Sequence, residues 1–296
     1  MVKERMVSGN TGCLMLPGNC VPFYCIGGKE WILLDSGSRF VRQELSEYLE
    51  QNEITVKAVI CSHAHFDHTE NNRFLQEKYG AEIIMTAYDA GTVHDALALK
   101  SCFYSHTAQE NESGNGEMLC RADRVLPLDA SDVEVCGARF ELVPLPGHAA
   151  SHMGIVTPDN VIYLADSLFT RDALQASRLI YMLSWSLTLK TLEQIKDFHY
   201  EKYILAHCGA VDEIKMLAEE NICQFTRILE KFQSLCQEEG TLEELTRRVI
   251  RAGGHVVRRW DKARLYERIV RSMTEYLLEE GKLHMKIRDG IIVYYQ

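Results

Sequence analysis

Apolar residues follow two different spacings along the first two thirds of the chain. Residues 38–51 and 69–80 have apolar residues at helical spacing, and the second stretch ends at Gly80. Short apolar runs, many of them β-branched, predict strands at 21–27, 30–36, 55–62 and 81–86. Strands that alternate with helices in this way are typical of an α/β layered fold.

The middle of the chain predicts a loop and further paired strands. The polar segment QENESGNGEM, at 109–118, is expected to be a loop. Further elements are predicted as hairpins over 132–145 and 154–166, a helix over 187–198 and a strand over 202–207. The first hairpin is expected to turn at Cys136-Gly137.

After Gly209 the chain becomes almost wholly helical. Helices are predicted over 214–237, 241–252 and 263–281. Two short strands then flank Asp289-Gly290, a residue pair that favours a hairpin turn. Helices followed by a hairpin suggest a small winged-helix unit. We therefore predict a layered α/β domain at 1–211 and a helical, winged-helix-like domain at 212–296.

The composition is typical of a globular protein. Of 296 residues, 46% are hydrophobic and 25% are charged. The sequence has no run of 18 apolar residues and no apolar stretch after its charged start, so we expect neither a membrane span nor a secretory signal. The ten cysteines include no CxxC pair, which favours reduced, mostly buried thiols. We expect a cytoplasmic protein.

The net charge of −10 is unevenly distributed. From Asp212 onward the chain has 15 basic and 15 acidic residues, so the negative excess lies before this point. Within this tail, the stretch 245–271 contains nine basic residues against Asp261 and Glu267. Such a cluster indicates either a solvated helix face or a surface that binds an anion.

A dense group of metal-binding residue types follows the predicted strand at 55–62. The segment SHAHFDH supplies His63, His65, Asp67 and His68 within six positions. Imidazole and carboxylate are common ligands of Zn²⁺. Because residues two apart face the same way on extended backbone, His63 and His65 can bind one metal ion. Asp67 and His68 can then point to a neighbouring ion, where the chain turns into the next helix.

Three more candidate ligands follow predicted strands. His148 comes after a Pro-Gly turn in LPGHAASH, Asp166 ends the run IYLAD, and His207 ends YILAH. The carboxyl ends of strands are the usual position of ligand sites in layered α/β folds. We therefore expect these three side chains to meet the group at 63–68.

The order HxHxDH, PGH, strand-end Asp and strand-end His resembles the metallo-β-lactamase superfamily over about residues 10–210. The resemblance implies an αββα sandwich and makes the first predicted domain catalytic. It also implies two divalent metal ions, with zinc expected and iron or manganese as alternatives. One ion would be bound by His63, His65 and His148, and the other by Asp67, His68 and His207. Asp166 would bridge the two ions, and Asp35 in LLDSG would support the site.

The implied chemistry is hydrolysis. Two cations about 3.5–4 Å apart can share one water and lower its pKa, and the resulting hydroxide attacks an ester, thioester, lactone or phosphodiester. Asp67 is expected to orient this hydroxide and then to carry a proton. His152 is expected to make a structural hydrogen bond. Residues predicted to line the substrate site are Tyr104, Arg171, Arg178 and Tyr181.

The motif details narrow the class of substrate. His65 departs from the Glu of the superfamily's diiron flavoproteins, and Asp166 argues against zinc β-lactamases. Phe169 replaces a Tyr that lactonases often carry, whereas DSLF at 166–169 is similar to glyoxalase II thioesterases. The helical tail resembles the β-lactamase-like protein 2 group, some members of which act on RNA.

Three hypotheses follow from the sequence. The first is a hydrolase of a small, anionic ester or thioester. The second is a metal-dependent nuclease that uses the basic tail, including Trp260, to hold RNA or DNA. The third is a non-hydrolytic member, either a mononuclear iron enzyme similar to persulfide dioxygenases or a chain whose winged unit binds nucleic acid. An acidic first domain would repel a long polyanion, which favours the first.

Overall fold

The structure is a computed structural model that describes residues 2–103, 107–176 and 180–296. The described chain forms two compact units. The first comprises Met1–Leu145, Ala150–Leu168 and Phe198–Ile214. The second comprises Pro146–Ala149, Phe169–Asp197 and Lys215–Gln296. The units alternate along the sequence, so the second unit contains a turn and two helices that precede our predicted boundary at 211/212.

The first unit contains two β-sheets. A seven-stranded sheet runs in chain order through β1 (Lys3–Ser8), β2 (Thr11–Leu16), β3 (Asn19–Gly27), β4 (Glu30–Leu34), β5 (Thr55–Ile60), β6 (Glu82–Thr86) and β7 (Arg124–Leu126). Strands β1 to β4 pair antiparallel, and β4 to β7 pair parallel. The parallel half places the carboxyl ends of β4 and β5 side by side.

The second sheet has six strands, numbered here β8 (Asp132–Val135), β9 (Ala138–Pro144), β10 (Met153–Val156), β11 (Val161–Ala165), β12 (Lys202–Leu205) and β13 (Gly209–Val211). Their order across the sheet is β13-β12-β11-β10-β9-β8. Strands β11 and β12 are parallel, so their carboxyl ends are also adjacent. The two predicted hairpins, β8–β9 and β10–β11, are confirmed.

Alternation along the central strands builds two cores. Ile32 and Leu34 of β4 lie in the core shared by the two sheets, together with Phe140 of β9. Leu33 points to the opposite face and packs in a second core with Leu45. This second core is covered by the helices α1 (Arg42–Gln51) and α3 (Asn72–Tyr79). Both faces of β4 are therefore buried, as its nearly continuous apolar sequence predicts.

The predicted loop at 109–118 is wrong, because this segment is helical. It forms α6 (Ala108–Asn115) and a 3-10 turn over Gly116–Met118. Thr107 caps the helix by accepting a hydrogen bond from the Glu110 amide at 3.0 Å. Asn111 is fully buried and accepts a hydrogen bond from the Asn115 side chain at 2.7 Å. A cap and one buried polar contact thus order a segment whose polarity suggested a loop.

The remaining helices of the first unit are short. They are α2 (Phe66–Thr69), α4 (Ala87–Thr92) and α5 (Ala96–Phe103), and a 3-10 turn over Arg39–Val41 precedes α1. The sequence predicted neither α4 nor the strands β1 and β2. No helix among the described residues is long and apolar enough to cross a membrane.

The second unit is mainly helical. Its elements are α7 (Arg171–Ala176), α8 (Trp185–Ile195), α9 (Lys215–Ser234), α10 (Leu242–Ala252), α11 (Trp260–Glu279), β14 (His284–Arg288) and β15 (Ile291–Tyr295). Strands β14 and β15 form the predicted hairpin about Asp289-Gly290. Thr241 and Glu244 form a capping box at the start of α10, which explains where that helix begins.

Candidate metal centre

The HxHxDH segment changes conformation within six residues. His65 has extended backbone, with φ −97° and ψ 159°, and helix α2 begins at the next residue. The extended part brings His63 Nε2 to 3.0 Å from His65 Nδ1, as the period-two argument predicts. The helical turn then directs Asp67 and His68 elsewhere. One short segment therefore supplies two groups of ligands.

The second group is completed by the ends of two other strands. Asp67, His68, Asp166 and His207 each offer a ligand atom, and these atoms lie within 4.8 Å of one another. His68 Nε2 is 3.5 Å from Asp166 Oδ2, and His207 Nε2 is 3.3 Å from Asp166 Oδ1. His207 Nε2 is also 3.5 Å from Asp67 Oδ2. The structure thus brings together four residues that are up to 140 positions apart in the sequence.

Hydrogen bonds fix which nitrogen each of two histidines presents. His68 Nδ1 donates to Asp35 Oδ2 at 2.7 Å, and His207 Nδ1 donates to the Gly18 carbonyl at 3.4 Å. Both rings therefore turn Nε2 toward the carboxylates of the group. His68 Nε2 is buried and has no hydrogen-bond partner among the described residues. A buried ring nitrogen held in this way fits a cation better than it fits solvent.

Asp35 is the centre of the supporting network. Its carboxylate accepts from the Ser62 amide at 2.7 Å, from Ser62 Oγ at 2.6 Å and from Tyr163 OH at 2.8 Å, in addition to His68. Because the Ser62 hydroxyl donates to Asp35, it accepts from His63 Nδ1 at 3.0 Å. One carboxylate thus orients a histidine from each group.

The carboxylates favour the charged form of the His68 and His207 imidazoles. Burial acts to lower the pKa of His68, but the nearby carboxylates of Asp166, Asp35 and Asp67 outweigh burial and raise this pKa well above its ordinary value. The hydrogen bond with Asp166 is the main cause of the raised pKa of His207. The group therefore has an excess of negative charge that protons or a metal ion must balance.

Two unusual backbone conformations aim the carboxylates. Asp35 has φ +63°, and Ala165, directly before Asp166, has φ +46°. The pairing of β11 with β12 shifts register at the same place. His152 is buried, and its Nε2 accepts from the Asp166 amide at 3.2 Å, which is the structural hydrogen bond expected from the sequence. Left-handed backbone at non-glycine residues is strained and is typical of functional sites.

A second buried carboxylate, Asp89, contacts the backbone between His63 and His65. Asp89 accepts from the Ala64 amide at 3.1 Å, from Thr86 Oγ1 at 2.8 Å and from Ser151 Oγ at 2.7 Å. Burial raises the pKa of Asp89 to about 6, although these hydrogen bonds oppose the increase. Ala64 separates the two histidines, so Asp89 fixes the backbone that carries both.

His148 belongs to the second unit, in the turn Pro146–Ala149. The Pro146 carbonyl accepts from Thr191 Oγ1 at 2.6 Å, and the Gly147 carbonyl accepts from the Ser184 amide at 2.9 Å. Both donors lie on or next to α8. The His148 ring packs edge-on against the Tyr181 ring, with centroids 6.0 Å apart. Its role as a partner of His63 and His65 remains a prediction from the motif.

Residues 16–207 match the family model described as the metallo-beta-lactamase superfamily. The chain belongs to this superfamily. The match covers both ends of the predicted ligand set, from before His63 to His207, and confirms the family suggested by the HxHxDH pattern.

Curated relatives within the superfamily are distant. A probable metallo-hydrolase of Methanocaldococcus jannaschii is 26% identical over 149 residues, which are 49% of this chain and 66% of that protein. Hydroxyacylglutathione hydrolase 1 of Vibrio vulnificus is 23% identical over 47% of each chain. The atrochrysone carboxyl ACP thioesterase of Aspergillus chevalieri is 27% identical, over 53% of this chain and 45% of that protein. The chain thus spans between about half and two thirds of these relatives.

Solved structures resemble the whole chain. A metallo-beta-lactamase family protein of Thermus thermophilus has a TM-score of 0.73 at 20% identity and covers 100% of this chain and 98% of its own. A beta-lactamase domain protein of Burkholderia ambifaria has a TM-score of 0.74 at 15% identity and covers 99% and 93%. These likenesses show the fold, which confirms the predicted α/β class with a helical C-terminal region.

Other residues singled out from the sequence have different positions. Tyr104 and Arg178 lie outside the described residues. Arg171 forms an exposed ion pair with Glu220. Tyr181 contacts the His148 ring, and Phe169 packs against Phe225 with ring centroids 6.2 Å apart. Of the two described residues that were predicted to line the substrate site, Tyr181 contacts a predicted metal ligand and Arg171 pairs with Glu220.

The basic stretch 245–271 is largely engaged in local contacts. Arg248 donates to the carbonyls of Leu235, Glu238 and Glu239 beyond the end of α9. Arginines that pair with acidic neighbours are Arg259 with Asp261, and Arg264 and Arg271 with Glu267. Such pairing leaves fewer cations for a long polyanion, which weakens the nuclease hypothesis.

Sequence reasoning missed the polar residues that hold the superfamily site together. Tyr163 lies in the buried strand β11, 128 residues from the Asp35 carboxylate to which it donates. Nothing in the local sequence distinguishes it from a core tyrosine. The Ser62 hydroxyl and Asp89 were also missed. Ser62 directly precedes His63, and this position at a strand end was the one available signal.

Proposed function

We propose that the chain is a divalent-metal-dependent hydrolase of small ester or thioester substrates. The observation that carries the proposal is the group of Asp67, His68, Asp166 and His207, whose ligand atoms lie within 4.8 Å of one another. Imidazoles and carboxylates that meet in a partly buried, negatively charged cluster fit a divalent cation, and this donor set suits zinc.

The residues are proposed to divide as the motif implies. Asp67, His68 and His207 would hold one ion, and His63, His65 and His148 would hold another, with Asp166 shared. When bound, the two ions supply a water activated for nucleophilic attack and a positive charge that polarises the substrate carbonyl. The Asp35 network holds His63 and His68 by their Nδ1 atoms, which would leave Nε2 of each ring to bind the ions.

Asp67 is the proposed catalytic residue. Its side chain is 22% exposed, more than that of Asp166 at 8%, so Asp67 can contact a substrate as well as bind a metal ion. The Asp67 carboxylate can accept a proton from the attacking water and donate it to the leaving group. A thiolate leaving group needs less protonation than an alkoxide, which suits a single carboxylate of this kind.

The names of two relatives favour a thioester among the candidate substrates. One is a hydroxyacylglutathione hydrolase and another an acyl-carrier-protein thioesterase, which match 47% and 53% of this chain. Phe169 also occupies the position where lactonases often carry a Tyr, which favours a thioester over a lactone. We therefore place small thioesters before lactones and esters.

The test combines metal analysis with turnover of a thioester series. We expect the protein to bind two equivalents of zinc, and we expect Asp67→Ala to lower kcat by about 100-fold or more with an unchanged melting profile. Asp129→Ala, an exposed carboxylate outside the site, is the control and should keep full activity. Near-wild-type turnover by Asp67→Ala would refute the assigned role.

Two other outcomes would replace the proposal. Iron in the purified protein together with oxygen uptake on a persulfide would establish the dioxygenase alternative. Cleavage of single-stranded RNA, with binding that weakens steeply as salt increases, would establish the nuclease alternative.

A further inference from the structure

We propose that Cys13, Met15 and Cys20 form a separate metal site, the sulfur site, which binds copper(I) through three sulfur atoms. All three residues belong to the first unit and lie on β2 and β3. None of them is assigned to the proposed hydrolase centre, so the sulfur site does not depend on the proposed function.

The pairing of β2 with β3 places the three side chains on one face of the sheet. Cys13 and Met15 are two residues apart on β2, so they point to the same side. Cys20 lies directly opposite Met15 in the antiparallel pair. Side chains that are directly opposite have Cβ atoms about 4.5–5.5 Å apart. Cys13 and Cys20 belong to the core between the two sheets, and Met15 packs against this core.

The contacts between the sulfur atoms fit one shared ion. Cys13 Sγ donates to Met15 Sδ at 3.9 Å, and the Cys20 thiol forms a hydrogen bond with Cys13. Metal–sulfur bonds are about 2.3 Å long, so three sulfur atoms in a trigonal plane around one ion lie about 4.0 Å apart. The separation of Cys13 and Met15 already has this value, and an ion between the sulfur atoms requires little movement of the chain.

The neighbouring strand β13 leaves room for the sulfur atoms and supplies N–H groups to them. Gly209 has φ +78°, and a Cβ at this position would lie 2.8 Å from Met15 Sδ and 3.8 Å from Cys13 Sγ. The Gly209 amide donates to Cys20, and the Ala210 amide donates to Cys13. Hydrogen bonds to ligand atoms orient those atoms and strengthen metal sites.

The chemistry of the donors selects the metal. Thiolate and thioether ligands together favour copper(I), whereas zinc in proteins is bound by Cys, His and carboxylate ligands. Cys13 and Cys20 are 0% and 2% exposed, so water is largely excluded from their thiols. Met15 is only partly buried and gives an incoming ion a path to them.

The charge of the occupied site can be balanced. Binding of one Cu⁺ would release one proton from each thiol, so that two thiolates and the ion carry a net charge of −1. Arg5 lies opposite Cys13 in the pair β1–β2 and offsets this charge. The hydrogen bond with Cys20 is the main cause of the lowered pKa of Cys13; burial opposes this decrease, and Arg5 adds to it.

The test is an anaerobic titration of the zinc-loaded protein with copper(I), in competition with the chelator bathocuproine disulfonate. We expect one tightly bound equivalent. Because loss of groups that merely support a ligand weakens metal binding by about 10- to 100-fold, Cys13→Ala and Cys20→Ala should each weaken it by about 100-fold or more. The control is Cys25→Ala, which removes a thiol of β3 on the opposite face and should bind copper(I) as wild type does.

A spectroscopic measurement tests the thioether separately. In selenomethionine-labelled protein, X-ray absorption at copper should detect a selenium neighbour beside sulfur, and Met15→Leu should lose the selenium signal. Leucine and methionine have similar volumes, so this variant should fold. It therefore decides the outcome even where a cysteine variant does not fold.

Three results would overturn the sulfur site. The first is copper(I) binding of wild-type strength by Cys13→Ala and Cys20→Ala that melt normally. The second is a copper spectrum with nitrogen or oxygen neighbours in place of sulfur and selenium. The third is release of one zinc ion for each copper ion bound, which would locate copper at the histidine and aspartate ligands. Retention of all zinc in the copper-loaded protein supports a separate site, whether or not the protein hydrolyses thioesters.

Discussion

Gly147→Ala should displace the His148 turn, because the structure leaves no room for a methyl group there. A Cβ at Gly147 would lie 2.5 Å from Thr188 Oγ1 and 2.6 Å from the Thr188 Cα and N. Gly147 also has φ +138°, a conformation that residues with a side chain rarely adopt. Two of the three close atoms are backbone atoms of α8, so no rotamer change can relieve the contact.

The expected magnitude has two parts. Backbone strain at this φ costs about 1–3 kcal/mol, and overpacking against α8 adds about 1–3 kcal/mol. Gly27 provides a matched control, because it has φ +141° and nothing within 4 Å of an added Cβ. Gly27→Ala should therefore show the strain alone. The difference between the two variants isolates the contact of the turn with Thr188.

The assay measures thermal unfolding and zinc content in parallel. Gly147→Ala should melt lower than Gly27→Ala by roughly 2–4 °C for each kcal/mol of the difference. It should also lose zinc that Gly27→Ala retains, because His148 moves with the turn. Adding Thr188→Ala should not restore Gly147→Ala, since the backbone atoms remain. Equal melting temperatures and full zinc in both glycine variants would refute the claim that α8 positions His148.

Two further predictions concern the buried carboxylates. The Asp35 carboxylate accepts four hydrogen bonds, whereas the amide of Asp35→Asn would donate on one side. Zinc affinity of this variant, measured against a chelator, should therefore fall about 10- to 100-fold. Asp289→Asn, at φ +50° in the terminal hairpin, is the control and should bind zinc normally. Burial raises the pKa of Asp89 from an ordinary 3.8 to about 6. The stabilisation that this shift contributes is therefore complete below pH 3.8 and is lost as the pH rises through 6. Relative to Asp89→Asn, the unfolding free energy of the metal-free wild type should therefore decrease by about 2.4 kcal/mol between pH 4 and 7. A pH-independent difference in denaturant titrations would contradict this.

The sequence by itself determined the elements and residues that depend on local physics. Alternating and continuous apolar runs predicted most of the strands, and Cys136-Gly137 and Asp289-Gly290 predicted hairpin turns that the structure contains. The extended spacing of His63 and His65 brought their ring nitrogens together as predicted. Such features need only neighbouring residues, so the local pattern is sufficient to predict them.

The local sequence pattern was misleading in one segment and gave no signal at another position. The polar segment 109–118 looked like a loop, but the Thr107 cap and the buried Asn111 make it helical. The strain at Ala165 also has no local signal, because it depends on the pairing of β11 with β12.

Tertiary structure alone decided how the ligands are oriented. Asp35 and Tyr163 meet across 128 positions, and the carboxylate that joins them also holds His68 by its Nδ1. The turn that carries His148 is fixed by α8, whose Thr188 leaves space only for glycine at position 147. Hydrogen bonds between residues far apart in the chain form only when the whole fold is assembled. The sequence could therefore name the ligands but not the side chains that aim them.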